Sequence, residues 1–414
     1  MYYRNFSGRA FLAAVVVSLV TACGGGGGGE STFAPATSPS APPFSSLANV
    51  ISVTVDSGPA GINVNRLYTS VTICQPGSRT QCQTIDHVLV DTGSTGLRLL
   101  SSVLAPALNL SRVTGTSGLP LLNCAQFVDN TFAWGPVAVA DILLGGKVAA
   151  NVPIQVIADP AFNRLAAACS SGDVLTMPAT LGANGILGLG LFKEDCGSPC
   201  AVTAANGFYF TCTNAFCSAT TRSLASIAKQ LKNPVPLFAT DNNGLLIDLP
   251  AVSLGGASSL DGLLIFGIGT RPNNQFTSGS VLTTSAGDFT TLFGGKSLDT
   301  SFIDTGSNGL YFDAGTIPVC TGTSGAGFYC PAALTNLSAT MVGRNGVRVP
   351  IAFSIDNALA SFASGTQAVI PTLSGTIGDA NTFDWGLPFF YGRRVFIGIE
   401  GQPSALGTGP FYAF

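Results

Sequence analysis

Residues 88–97 read VLVDTGSTGL and residues 301–310 read SFIDTGSNGL. Six of the ten positions agree: Asp-Thr-Gly-Ser, then Gly-Leu after one variable polar residue. The apolar lead-in is what a buried strand needs. An aspartate ends it, and a glycine two residues later lets the backbone turn tightly. Amides in such a turn can point at the carboxylate, and the serine three residues on can donate to it. A single copy would be a capped turn. Two copies read as two halves of one site. If the halves meet about a pseudo-twofold axis, Asp91 and Asp304 face each other, and two carboxylates that close cannot both ionise cheaply. The pair then holds one proton, so that one member acts as a base and the other as an acid on a water between them.

The chain has 414 residues, 46% hydrophobic and only 9% charged, against roughly 25% charged in ordinary soluble proteins. The net charge of −3 leaves no basic face for nucleic acid. Mean hydropathy is +0.43, yet beyond residue 23 no run of 18 or more apolar residues is free of charge, so spanning helices are not expected. Fifty-one glycines with abundant Val, Thr, Ser and Phe fit short strands joined by tight turns. The composition predicts an all-β protein.

Residues 1–23 read as a targeting segment: Arg4 and Arg9 precede an apolar stretch, Phe11–Val20, and Val20-Thr21-Ala22 lead into Cys23. Small residues before a cysteine resemble the lipobox of bacterial lipoproteins, where that cysteine is acylated. The alternative is an ordinary secretory peptide cut nearby. Six glycines and a Pro/Ser-rich stretch follow, the composition of a flexible tether over 24–48. The expectation is an exported, lipid-anchored protein of the cell envelope, with Gly24 after Cys23 resembling the outer-membrane-sorted class. Setting Cys23 aside leaves an even number of cysteines, suited to an oxidising compartment. Cys74/Cys82 and Cys320/Cys330 are spaced to staple hairpins, and Cys196, Cys200, Cys212 and Cys217 form a cluster expected to pair in nested fashion. Zinc is the other use of four such cysteines, and export favours disulfides.

Strand-like runs occur at 50–55, 67–74, 85–90, 137–144 and 152–157, and a second β-rich half opens at 262–267 (GLLIFG). One helix is predicted, over 221–231 (TRSLASIAKQL), with apolar residues at 224, 227, 228 and 231. The expected organisation is an N-terminal lobe, 49–257, and a C-terminal lobe, 258–414, each carrying one DTGS.

These residues resemble the pepsin-like aspartic peptidases over most of 50–400. Besides the two DTGS motifs, residues 183–190 (ANGILGLG) resemble the segment supporting the first active-site loop. Residues 264–267 (LIFG) resemble the strand opening the second lobe, and 386–397 (GLPFFYGRRVFI) the segment closing it. The resemblance implies an all-β, bilobal double barrel with a cleft between duplicated lobes. Asp91 and Asp304 would be catalytic. Thr92 and Thr305 would bond across the interface, Gly93 and Gly306 would donate amides, and Ser94 and Ser307 would orient the carboxyls. It implies an aspartic endopeptidase acting on peptides or proteins without cofactor or metal; the chain is expected to be a monomer that touches the membrane only through the lipid on Cys23.

Three departures stand against that pattern. The family's flap tyrosine is absent from 126–135 (QFVDNTFAWG), which offers Phe132 and Trp134 instead. The tryptophan it would bond is replaced by Arg98. An acid, Asp384, sits where the supporting segment is usually apolar. Arg98 stacked on Trp134 is one expected substitute for the missing flap contact. Trp134 packed in the hairpin base is the other. Serine- or cysteine-type hydrolysis needs a histidine base in most forms, and the sole histidine, His87, lies in a strand. A glycosidase uses two carboxylates but has no need of two DTGS copies. The competing reading from another class is a non-catalytic lipoprotein that binds a peptide or protein in its cleft.

Overall fold

The computed structural model describes residues 48–414, apart from 170, 171, 215 and 364. The targeting segment expected over 1–23, with Cys23, and the tether expected over 24–48 lie outside the described residues, apart from Ala48. Strands make up most of the regular structure. In its first half these are β1 (Val50–Val55), β2 (Leu67–Cys74), β3 (Cys82–Asp91), β4 (Thr95–Leu100), β5 (Leu121–Gln126), β6 (Thr131–Leu144) and β7 (Lys147–Ile157). Then come β8 (Asp173–Val174), β9 (Gly185–Leu189), β10 (Tyr209–Cys212), β11 (Thr220–Arg222), β12 (Gly244–Leu249) and β13 (Leu260–Phe266). Strands β2, β3, β9, β4, β7 and β6 pair in that order, and β6 pairs back onto β2, closing a barrel. Its interior is aliphatic, with Val71, Val90, Leu97, Leu99, Ile154 and Leu187 almost inaccessible to solvent. Buried residues run unbroken through β4 and the first half of β6, where both faces are covered, while β2 alternates around the exposed Ser70.

The second half adds β14 (Val281–Thr283), β15 (Phe289–Phe293), β16 (Lys296–Ile303), β17 (Leu310–Phe312), β18 (Thr335–Val342), β19 (Arg348–Ile355), β20 (Ser374–Gly375) and β21 (Phe383–Trp385). It ends with β22 (Arg393–Gly398), β23 (Pro403–Ser404), β24 (Gly407–Thr408) and β25 (Phe411–Ala413). Seven of these form one sheet, ordered β19-β18-β15-β16-β21-β17-β20. Phe353 on the outer strand β19 nonetheless touches Phe312 of β17 and Phe383 of β21, each at 5.8 Å between ring centroids. The sheet therefore wraps around an aromatic core, in which Phe312, Phe383 and Trp385 stack. A third layer joins the lobes: β1, β13, β12, β22, β25 and β14 run side by side. The all-β, two-lobed double barrel expected from the motifs is the architecture observed, and the 257/258 division falls between β12 and β13, neighbours in the joining sheet.

Each DTGS emerges from the same local arrangement. Strand β3 runs parallel to β9, with Asp91 opposite Gly188, and β4 returns antiparallel to β9. In the other lobe β16 runs parallel to β21, with Ile303 opposite Trp385, and β17 returns antiparallel to β21. A third strand thus fills the gap between the two arms of each DTGS loop, fixing where each aspartate points.

Two expectations fail here. Residues 221–231 are not a helix: Thr220–Arg222 is β11, paired to β10, and only Ile227–Lys229 makes a single 3-10 turn. The backbone is satisfied from outside instead. Ser223 N–H donates to the Tyr209 carbonyl and Ala225 N–H to that of Cys200. The Tyr209 hydroxyl accepts from Leu231 N–H, and the Gln230 amide donates to Gly197 and Ala225. These long-range partners outweigh a modest local propensity. The cysteine cluster pairs sequentially, Cys196–Cys200 and Cys212–Cys217, rather than in nested fashion, because each pair closes its own short loop. Cys74–Cys82 and Cys320–Cys330 form as expected, and Cys124–Cys169 completes five bridges. Among the described residues no helix is long and apolar enough to cross a membrane.

Cys124–Cys169 spans 45 residues and Cys196–Cys200 only 4. Loop-closure entropy makes the first worth about 4 kcal/mol and the second about 2. Replacing each pair by alanines should lower stability in that order, read from denaturant midpoints. Equal losses would show that loop length does not govern these bridges.

Candidate functional site

The two DTGS loops meet at the lobe interface. Asp91 and Asp304 are both buried there, 6% and 8% exposed. Each serine donates to the outer oxygen of its own aspartate: Ser94 Oγ to Asp91 Oδ2, and Ser307 Oγ to Asp304 Oδ2 at 2.9 Å. Gly306 N–H donates to Asp304 Oδ1 at 2.7 Å. Gly93 N–H is shared, 2.9 Å from Asp91 Oδ1 and 2.8 Å from Asp304 Oδ1. One amide therefore holds the inner oxygens of both carboxyls together. A Cβ on Gly93 would stand 2.7 Å from the Asp304 carboxyl carbon, and one on Gly306 2.6 Å from Asp91 Oδ1. Only glycine allows this approach.

Beneath the carboxyls the threonines exchange bonds across the interface. Thr305 N–H donates to Thr92 Oγ1 at 2.9 Å, and Thr92 N–H to Thr305 Oγ1 at 3.2 Å. The hydroxyls pass on to the opposite strands, Thr305 Oγ1 to Val90 O at 2.7 Å and Thr92 Oγ1 to Ile303 O at 3.5 Å. Buried hydroxyls with every bond made are rigid supports. A second clasp was not legible in the sequence. Asn65, left-handed at φ 51° and fully buried, donates to the Asn308 and Ile370 carbonyls and accepts from Ile370 N–H and the Tyr391 hydroxyl. Beside it Arg66 donates to the Gly306 carbonyl at 3.0 Å.

Burial and the neighbouring Asp91 charge push the Asp304 carboxyl up to about 8, against the Gly306 amide and Ser307 hydroxyl that favour its ionised form. The pair is thus arranged to keep one proton at neutral pH. Asp384, the acid noted in the sequence, is fully buried beside the dyad. Burial first, then the Asp304 charge, push it well above the ordinary carboxylate range.

The flap expectation divides. Strands β5 and β6 do form a hairpin over 121–144, with Gln126 opposite Phe132. Its aromatic residues, however, turn into a separate apolar cluster. Trp134 meets Phe210 edge-on at 5.3 Å and donates to the Phe162 carbonyl at 2.9 Å, and Phe132 lies in the same cluster. Arg98 is equally buried, 1% exposed, but donates to the Thr95 carbonyl at 2.7 Å and faces Asp195 at 3.6 Å. An Arg98–Trp134 stack is therefore ruled out; each side chain has found a closer partner. Asp195 also accepts from the Tyr209 hydroxyl at 2.6 Å and the Asn123 amide at 3.0 Å, so it ties Arg98 of β4 to Asn123 of β5. Burial nevertheless raises its carboxyl to about 6, outweighing Arg98. Among the described residues no cluster of three or more His, Cys, Asp or Glu side chains is placed to hold a metal ion.

Residues 45–414 match the model of a family described as "Protein of unknown function (DUF3443)", and the chain belongs to that family. No curated protein matches the sequence. Among solved structures, the aspartic proteinase from Irpex lacteus is similar at a TM-score of 0.42 and 12% identity, over 87% of this chain and 99% of that one.

Two outcomes are expected from this geometry. Thr305→Val keeps the shape but deletes two interlobe bonds, and should cost about 1–3 kcal/mol of stability in denaturant unfolding; an unchanged midpoint would contradict the clasp. Asp304 retains a proton that the unfolded chain releases near 3.8. Its contribution to stability is therefore full below about pH 4 and is lost as pH rises through about 8. Melting temperature should fall over that window in the wild type, and less so in Asp304→Asn.

Proposed function

We propose that this member of the DUF3443 family is an exported aspartic endopeptidase that hydrolyses peptide bonds through an Asp91/Asp304-activated water. The observation that supports the reading most is the shared Gly93 amide, which brings two identically built carboxyl loops to one point. A carboxyl pair in that geometry can do acid and base work at once.

In the proposed cycle Asp91 takes a proton from the water as its oxygen bonds to the scissile carbonyl carbon. Asp304 gives its proton to the carbonyl oxygen, forming a neutral gem-diol. Asp91 then passes the proton it holds to the amide nitrogen while the C–N bond breaks. A gem-diol hydroxyl returns a proton to Asp304, and the carboxylic acid and amine leave. No covalent intermediate forms, and the dyad ends as it began. Burial of the loops keeps both carboxyls under the control of fixed donors rather than bulk water.

The second reading, a cleft-binding protein that does not cut, is favoured by one feature: Phe132 and Trp134 of the β5–β6 hairpin pack away into their own cluster, and no tyrosine stands among 126–135. The five disulfides are the pattern of an exported protein. Within this proposal Cys23 carries a lipid that anchors a monomer to the outer membrane. Mass spectrometry of the mature N-terminus tests that point, and a free N-terminus beyond Cys23 would exclude it.

The decisive assay is cleavage of a mixed peptide library from pH 3 to 8. Wild type should cut, and Asp91→Asn and Asp304→Asn should each lose at least about 1,000-fold, because the two groups act as one unit. Cleavage retained in either variant would exclude the dyad. A wild type that binds library peptides without cutting them would establish the second reading.

A further inference from the structure

The two half-sites are built alike, and comparing them position by position brings out an acid where the other supporting strand is apolar. Two residues before each aspartate, the lead-in strand faces the supporting strand: Leu89 lies opposite Ile186, and Phe302 opposite Asp384. Seven residues after each aspartate the returning strand faces the same positions: Arg98 lies opposite Ile186, and Tyr311 opposite Asp384. Where one lobe uses an isoleucine, the other buries a carboxyl at 1% exposure. Its Oδ1 has no hydrogen-bond partner. A buried, under-bonded acid is costly and calls for a reason.

Its neighbours narrow the reason. Asp304 and Asp91 both face it and both disfavour its charge. Tyr311 faces it from β17, but the Tyr311 hydroxyl is committed to Asn308 Oδ1. Tyr412 approaches from β25, with its hydroxyl against the Ile303 backbone. The cation on this side, Arg66, donates to the Gly306 carbonyl. The Ser307 hydroxyl acts on the Asp384 carboxyl, and it donates its only proton to Asp304 Oδ2 at 2.9 Å. A serine hydroxyl has one proton and two lone pairs. An ionised Asp384 would compete for that proton and strip Asp304 of a donor. A neutral Asp384 can instead donate to a serine lone pair and leave the Ser307 proton aimed at Asp304 Oδ2.

We propose that Asp384 is a third carboxyl of the site, a positioning residue kept neutral so that it donates to Ser307 and holds the Ser307 hydroxyl on Asp304. The proposal rests on the dyad reading and adds to it a reason for the asymmetry of the lobes. Burial and Asp91 both drive Asp304 toward holding its proton too tightly, and Ser307 opposes them. The Asp384–Ser307–Asp304 chain is then the counterweight that keeps the Asp304 proton transferable, as a general acid requires. A carboxylic acid held neutral by an apolar site so that it can donate a hydrogen bond is a known catalytic device.

The test compares Asp384→Asn, which keeps a donor but cannot ionise, with Asp384→Ile, the residue at the matching position of the other lobe. Peptide cleavage is followed as kcat and KM from pH 3 to 9, and thermal stability over the same range. Asp384→Asn should keep kcat within about threefold of wild type. Asp384→Ile should lose about 10-fold in kcat with KM little changed, and its basic limb should move to higher pH as Asp304 loses its donor. Both variants should lose less stability than wild type as pH rises above about 4, because the unfolded wild type releases there a proton that the buried Asp384 keeps. Equal kcat and pH profiles for the two variants would overturn the donor role. A stability curve of Asp384→Asn identical to wild type would overturn the neutral acid. Should the wild type cut nothing, the peptidase reading falls alone, and the stability curves still decide the protonation of Asp384.

Discussion

One backbone N–H, that of Gly93, serves two carboxyls from different lobes, and the rest of the molecule is arranged to permit it. The bond demands that two loops approach at backbone distance, which only Gly93 and Gly306 allow. Holding them there demands rigid supports on both sides: the threonine exchange below, the third strand inside each loop, and the Asn65 clasp beside them. The joining sheet, drawn from β1 at one end of the described chain and β25 at the other, fixes the lobes relative to each other. Fold and site are therefore one construction. Loss of a support acts on the carboxyl pair even where it never touches it.

The two lobes solve the same local problem with different chemistry. In the first, the position seven beyond the aspartate is Arg98, whose charge is answered by Asp195 and carried on to the hairpin strand β5. In the second it is Tyr311, which faces the unanswered acid Asp384. Buried ion pairs seldom add net stability but do fix geometry, and Arg98–Asp195 fixes the base of the hairpin. The acid in the other lobe acts on protons rather than on shape.

Much of this was legible in the sequence because it is local. The repeated DTGS states the pairing of the half-sites, since its glycine and serine are needed by the turn itself. The apolar runs give strands at 50–55 and 67–74 with matching ends, and the cysteine pairs 74/82 and 320/330 need only a hairpin. What failed depends on partners far along the chain. Residues 221–231 have helical spacing, but Tyr209, Cys200 and Gly197 supply their bonds. Of the two expectations for Trp134 the stack with Arg98 fails, because Asp195 and Phe162, invisible as partners in the sequence, claim the two side chains. Asn65 carries no motif; only its left-handed backbone sets it apart, and that is seen only in the structure. Asp384 was noticeable as an acid among apolar residues, and its partner Ser307 was already named for another role.

The central claim is that two carboxyls from two lobes hold one proton between them well above the ordinary carboxylate range. Carbon-13 NMR of protein labelled at aspartate side-chain carboxyls, titrated from pH 3 to 9, reads this directly. The account predicts a resonance that titrates near pH 8, is assigned to the dyad by its absence from Asp304→Asn, and shifts in Asp91→Asn. A wild-type spectrum in which the dyad carboxyls have both ionised by pH 5 would contradict it.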